Sequence, residues 1–199
     1  MRDIDVRLAV RKSLDDAHAG DSETRIVEEM GIWAGSVRVD IAVINGELHG
    51  VELKSARDTL ERLPNQITLY SEVFDRMTLV VAERHVEKAI ASIPGWWGVV
   101  VATNDSQECV RLHPVRSGSE NLGLSPLQIA RLLWRSEALS ILQRTFRDKG
   151  VRSKSSDVVA RRLAESLPVD ILRAEVRVAL RARFNWLRQP VANEFQMSI

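Results

Sequence analysis

Asp40, Glu52, Lys54, Gln66 and Tyr70, in the segment VDIAVINGELHGVELKSARDTLERLPNQITLY that starts at Val39, have types and spacing that suit hydrolytic chemistry. Glu52 and Lys54 lie two residues apart, so on a strand they project from one face. Asp40 precedes them on a neighbouring run of strand character. Two carboxylates on adjacent strands offer the hard oxygen ligands that Mg2+ (or Mn2+) accepts while keeping several waters. A lysine beside such a cation can orient water or offset charge on a phosphate oxygen. Gln66 and Tyr70 sit at i and i+4 of an expected helix, on a face that can brace the site or contact substrate. Glu29, upstream, is a third candidate ligand. Plainer roles also exist: Glu52 and Lys54 as a surface ion pair, Glu29 as a solvated helix charge, Tyr70 as a core residue with a bonded hydroxyl.

The elements that must position these groups can be read from the chain. Residues 3–18 have helical spacing with Ile4, Leu8 and Leu14 among the apolar positions, and a second helix, carrying Glu29, is expected from Ser22 to Met30. VRVDIAVI alternates and is rich in β-branched residues, Asn45-Gly46 marks a turn, and LHGVELK returns as the second strand of a hairpin. Register decides whether a shared site exists. A two-residue loop would put Glu52 on the face opposite Asp40, whereas a three-residue loop or a bulge would unite Asp40, Glu52 and Lys54. An odd loop or bulge is therefore expected.

Asp58 with Glu61 resembles a capping box for a helix reaching Phe74. MTLVVA and WGVVVAT, separated by a short helix, read as further strands, so part of the sheet should be parallel. Residues 103–124 are expected to be loop-rich or to contain short irregular strands, and SGSENLGLS marks a boundary between a domain at 1–124 and an all-helical one at 125–199, with helices at about 126–148, 156–166 and 168–187. Trp134 and the apolar series Leu163, Leu167, Ile171, Leu172, Val176 and Leu180 are expected in the helical core.

Composition sets bounds. Apolar content of 45% and charged content of 28% are those of a globular protein, and the single cysteine, Cys109, excludes an intramolecular disulfide framework. No run approaches the roughly 20 apolar residues of a membrane span, and the N-terminus has no signal-peptide core, so a cytoplasmic protein without membrane partner is expected. The net charge of +1 hides an asymmetry: residues 1–125 carry 14 Lys/Arg against 20 Asp/Glu, and residues 126–199 carry 14 against 7. A basic half suggests a polyanionic partner. Arg173, Arg177 and Arg181 recur every four residues as one stripe that could track a phosphate backbone, and Arg57 and Arg62 flank the carboxylates. A solvated arginine-rich helix face would give the same pattern.

The Asp40…Glu52-Leu53-Lys54 pattern, followed by Gln66 and Tyr70, resembles the PD-(D/E)XK nuclease superfamily, whose fold is restriction-endonuclease-like, and the Gln-x-x-x-Tyr element resembles its RecB-like branch. Glu29 stands where that superfamily often carries a glutamate on its first core helix. The wider wording, including HGVELKSARDTLERLPNQ, PGWWGVVV and LLWRSEAL, resembles a bacterial and phage group within it. The resemblance covers about residues 1–102; Val39 stands where a proline is usual. It implies a mixed α/β sheet flanked by helices and a Mg2+- or Mn2+-dependent phosphodiesterase acting on nucleic acid, DNA ahead of RNA. Asp40, Glu52 and Glu29 would be ligands, Lys54, Gln66 and Tyr70 catalytic partners. The alternative is a non-catalytic nucleic-acid-binding protein or partner-binding module on the same fold, with a homodimer or protein partner left open.

Overall fold

The structure, a computed structural model, describes residues 1–32, 35 and 37–183. Helix α1 (Asp3–Ala17) leads into strands β1 (Arg25–Ile32), β2 (Val37–Ile44) and β3 (Leu48–Lys54). Helix α2 (Leu63–Ser71), strand β4 (Arg76–Ala82), a 3-10 turn at Glu83–His85, helix α3 (Val86–Ser92) and strands β5 (Gly98–Asn104) and β6 (Val110–Arg116) follow. Helices α4 (Pro126–Ala130), α5 (Arg135–Arg144), α6 (Ser156–Ser166) and α7 (Val169–Ala182) complete the described chain.

The six strands form one mixed sheet in sequence order. β1–β2–β3 and β5–β6 are antiparallel, and β3–β4–β5 are parallel. The parallel pairs require crossovers, which α2 and α3 supply. The fold is thus the expected mixed α/β architecture with helices at its C-terminal end. One sheet face is covered by α1, whose Val6 and Val10 pack on Ile41, Val51, Leu53, Val80 and Ala102. The other face carries the larger core, which runs from Val39, Leu79 and Val99 through Tyr70 and Trp97 to Ile141, Leu163, Leu172 and Leu180.

Several local expectations are corrected. The segment expected as a helix from Ser22 to Met30 is strand β1. Val27 and Met30, three apart, both enter the larger core, which mimics a helical period. A regular strand forbids that spacing; the pleat is broken at Glu29, whose φ is 52°. Val39 and Ala42 on β2 show the same three-residue spacing around Asp40. The helix after the hairpin begins at Leu63, because Asp58 does not cap it: its carboxylate accepts from the Ser55 backbone N–H at 2.7 Å instead. The stretch 126–148 is split into α4 and α5. On α1 the buried face is Val6 and Val10, while Ile4 and Leu8 are exposed. Trp134 and Ile171 are about half exposed rather than core, with Arg183 over the Trp134 ring at 4.5 Å. The last helix ends at Ala182; residues 184–187 of that expectation lie outside the described residues.

His49 packs between strands, with Nε2 2.9 Å from the Thr78 hydroxyl. Burial pushes its pKa down to about 4 from the usual 6.5. The unfolded chain therefore binds this proton more readily, and stability falls as pH drops from 6.5 to 4. The loss should approach ~3 kcal/mol, at about 1.4 kcal/mol per pH unit. Urea unfolding of wild type and His49→Gln across that range checks this. The stability advantage of wild type should shrink with falling pH, and parallel curves would refute it.

Candidate active site

The hairpin is what brings the carboxylates together. Ile44 pairs with Leu48, so the loop has three residues, Asn45-Gly46-Glu47, and Ile41 pairs with Val51. Continued by one step, this register sets Asp40 across from Glu52, as the odd-loop expectation requires. The turn does not rely on a left-handed glycine. Its shape is held by Asn45, whose side-chain oxygen accepts from the Glu47 N–H at 3.0 Å and whose amide donates to Thr24 Oγ1 at 3.1 Å.

Beyond Ile41–Val51 the ladder gives way to side chains. The Leu53 N–H donates to Asp40 Oδ2 at 2.7 Å, and the Asp40 carbonyl accepts from Arg7 Nη1 at 3.1 Å. Asp40 thus stands in for a main-chain acceptor of β2 toward a β3 donor while keeping a partly exposed carboxylate.

Glu52 is 2% and Lys54 4% exposed. Lys54 Nζ donates to Glu52 Oε1 at 2.5 Å, Gln66 Nε2 reaches the same oxygen at 2.6 Å, and the Tyr70 hydroxyl lies 2.9 Å from Oε2. The same hydroxyl is 2.7 Å from the Arg38 carbonyl and accepts from Gln66 Nε2 at 3.2 Å. Trp97 stacks on the Tyr70 ring at 6.3 Å and Phe74 meets its edge at 5.7 Å, so the phenol is fixed from behind by core aromatics. Burial and the charge of Asp40 push the Glu52 carboxyl up to about 7, against the opposing pull of Lys54 and Tyr70. Burial, reinforced by Glu52, raises the Tyr70 phenol far above its ordinary value, which keeps it neutral.

Glu52, Lys54 and Gln66 open onto a cleft of about 650 Å³ also lined by Glu29, Asp40 and Arg62, with Asp3, Arg38 and Asp58 at its wall, while Tyr70 is fully buried behind Glu52 and does not line it. Glu29 arrives on a strand, not on a helix, and remains half exposed. Arg7 joins it to the site: Nη2 lies 2.8 Å from Asp40 Oδ1 and 3.1 Å from Glu29 Oε1, while Nε is 3.3 Å from Asp3. Burial alone would lower the Arg7 pKa, but the three carboxylates outweigh it. Neither Arg7 nor Asp3 was recognisable as a site residue, because no spacing rule links a helix surface to a strand 33 residues away.

Asp40 and Glu52 are hard oxygen donors on adjacent strands facing an open cleft, and that donor set fits Mg2+ or Mn2+. Among the described residues no group of three or more His, Cys, Asp or Glu converges on a metal-sized point. The set is therefore two carboxylates, with Glu29 held through Arg7. The buried Gln66 Oε1 has no hydrogen-bond partner among the described residues, an acceptor left over beside the carboxylates.

Of the basic candidates, Arg57 and Arg62 are exposed, and Arg62 lines the cleft. The α7 stripe is turned inward. Arg173 Nε binds Asp75 at 2.8 Å, Arg177 reaches the same carboxylate at 3.4 Å, and Arg181 pairs with Glu23 at 3.4 Å. The stripe is not an open basic face, because its charges tie α7 to the sheet.

The family described as bacteriophage P4 protein cII matches residues 2–196. This chain belongs to that family. Protein cII of Enterobacteria phage P4 is 30% identical over 124 residues, covering 61% of this chain and 46% of that protein. The chain thus spans about half the length of its curated relative. Among solved structures, the SPO1766 protein of unknown function from Silicibacter pomeroyi is similar over 71% of this chain and 89% of its own, at 22% identity and a TM-score of 0.40. SfsA from Pyrococcus furiosus, in complex with Ca2+, is similar over 58% and 64%, at 13% identity and a TM-score of 0.34. At these TM-scores the likenesses carry no argument for the site. Among the described residues no helix is long and apolar enough to cross a membrane.

Proposed function

We propose that this member of the P4 cII family is a metal-dependent nuclease that hydrolyses phosphodiester bonds, with DNA the substrate to test first. The observation that supports this reading is the convergence of Asp40, Glu52, Lys54 and Gln66 on one open cleft, with two buried charges retained where apolar side chains would pack more cheaply. Asp40 and Glu52 would hold Mg2+ or Mn2+, which supplies Lewis acidity when bound. Lys54 keeps a cation next to the carboxylates, placed to offset charge on a phosphate oxygen. Gln66 and Tyr70 fix the Glu52 carboxylate through both oxygens, and their own positions are set by the α2 backbone and by Trp97. Arg62 at the cleft wall and Arg57 nearby would receive phosphates of the strand.

A second reading, a non-catalytic protein that binds nucleic acid or a partner on the same fold, draws support from Arg7. Its guanidinium already compensates Asp40 and Glu29, as a chain without need of a metal would arrange. Labelled single- and double-stranded DNA and RNA, incubated with EDTA, Mg2+ or Mn2+, separate the two. Metal-dependent cleavage by wild type that disappears in a folded Asp40→Ala variant is the expected result. Salt-sensitive binding with no cleavage under any metal would reject the nuclease and favour the second reading.

A further inference from the structure

With the α7 arginines committed to Asp75 and Glu23, a basic surface for a polyanion has to be sought elsewhere. The connection between α5 and α6 carries uncommitted basic charge beside an exposed aromatic. Phe146 is 93% exposed and holds a left-handed backbone, φ 57°, directly after α5. The position is the one that glycine usually takes to end a helix, and the hydrogen bonds Phe146 N–H to Gln143 O and Arg147 N–H to Leu142 O complete the cap. A bulky aromatic there gains nothing from packing and carries the steric cost of the left-handed region. Such an outlier points from strain toward function.

The rest of the loop is built to be rigid. Val151 is buried, Gly150 takes φ 82°, Asp148 is buried and paired with Arg152, and Arg135 donates to the carbonyls of Arg152 and Lys154. Arg147 and Lys149 flank Phe146 in the chain and Lys154 lies further along the same connection, all exposed and without an ion-pair partner among the described residues. Arg144, by contrast, is paired with Glu175.

We propose that this connection is a docking surface for a single nucleic-acid strand, with Phe146 stacking on a base and Arg147, Lys149 and Lys154 meeting phosphates. An aromatic ring set among cations on a fixed loop is the arrangement that unpaired strands recognise, since every base has a face to stack and every linkage a charge to neutralise. A duplex offers no free base face to Phe146. The proposal deepens the nucleic-acid reading given above without requiring hydrolysis in the cleft.

The test is fluorescence anisotropy of a labelled oligothymidylate of about 15 nucleotides, titrated with the full chain in EDTA. Phe146→Gly should weaken binding about tenfold while leaving the melting temperature equal or higher, because glycine relieves the left-handed strain. Phe146→Tyr should restore affinity. Replacing Arg147, Lys149 and Lys154 together by Gln should flatten the slope of log K against log salt by about 2. Phe146→Gly binding as wild type does, an unchanged salt slope, or a wild type that does not bind the strand at low salt would each overturn the proposal. Hydrolysis of bis(p-nitrophenyl) phosphate with Mn2+ reads the cleft alone. Phe146-dependent binding without that hydrolysis keeps the surface and rejects the nuclease, and hydrolysis with Phe146-independent binding does the reverse.

Discussion

Asp75→Ala is expected to cost about 3–5 kcal/mol of folding stability, a large part of the ~5–15 kcal/mol typical of a domain. Asp75 is 3% exposed and sits where β4 begins, next to the start of β3. Its carboxylate accepts from the Leu48 N–H at 2.7 Å and from Arg173 Nε at 2.8 Å, with Arg177 at 3.4 Å. Its backbone is equally engaged, donating to the Leu48 carbonyl and accepting from the Asn121 N–H, both at 2.9 Å. Deleting the carboxylate strands a buried N–H and takes from two mostly buried guanidinium groups their shared counter-ion, with Glu120 and Asp170 left to Arg173 at 3.3 Å each. Leaving charge or a donor unpaired inside is the costly direction of such a change. Asp75→Asn keeps an acceptor for Leu48 and should fall between wild type and Asp75→Ala. Urea unfolding followed by tryptophan fluorescence and circular dichroism measures all three. An Asp75→Ala chain within about 1 kcal/mol of wild type would mean that α7 is held by its apolar face alone. The Asp75→Ala/Arg173→Ala cycle should return a coupling of more than about 1 kcal/mol, as expected for two members of one network.

The same contact shows why part of the molecule was hidden in its sequence. The four-residue spacing of Arg173, Arg177 and Arg181 is visible, but which way the stripe faces depends on an acidic residue about 100 positions upstream, Asp75, whose partners no local pattern reveals. Arg7 was missed for a like reason: its i,i+4 relation to Asp3 is ordinary helix-surface chemistry until the fold carries Asp40 to it. The hairpin was the opposite case. Period-two alternation fixed both strands, and the parity of the loop decided whether Asp40 and Glu52 could share a face, so the core of the site followed from counting. Gln66 and Tyr70 likewise came from helical phase, even though the capping signal at Asp58 placed the start of their helix too early. β1 failed because its apolar residues obey the wrong period: Val27 and Met30 imitate a helix through the broken pleat at Glu29. That break lies beside Asp40, where a regular strand gives way to a site wall. At β1 the local rule failed because the chain departs from regular geometry, and at α1 and α7 because the deciding partner is distant in sequence.

Lys54→Met is expected to reduce metal-dependent hydrolysis by about 10²–10³-fold, the range found when one preorganised electrostatic partner of a transition state is removed. Methionine preserves most of the apolar stem that fills a 4% exposed position, so the change removes the ammonium group with little loss of volume. It also leaves Glu52 buried without its cation, and that carboxyl should then be driven further toward its neutral form, since burial and Asp40 already push it up and Lys54 opposes them. A fall in activity alone could therefore reflect a disturbed fold. The double variant Glu52→Gln/Lys54→Met resolves this. Replacing both members of a buried ion pair by apolar side chains of similar size is commonly neutral or stabilising, whereas removing one is not; at position 52 Gln is used because the Gln66 and Tyr70 side chains still need a polar partner there. The double variant's urea midpoint should return to that of wild type or exceed it, while hydrolysis does not recover, because both a ligand and the cation are gone. Recovery of stability without recovery of activity would assign the pair to chemistry. If instead Lys54→Met cleaves nucleic acid at the wild-type rate, the buried Lys54–Glu52 pair is an internal brace, and the hydrolytic reading of the cleft fails with it.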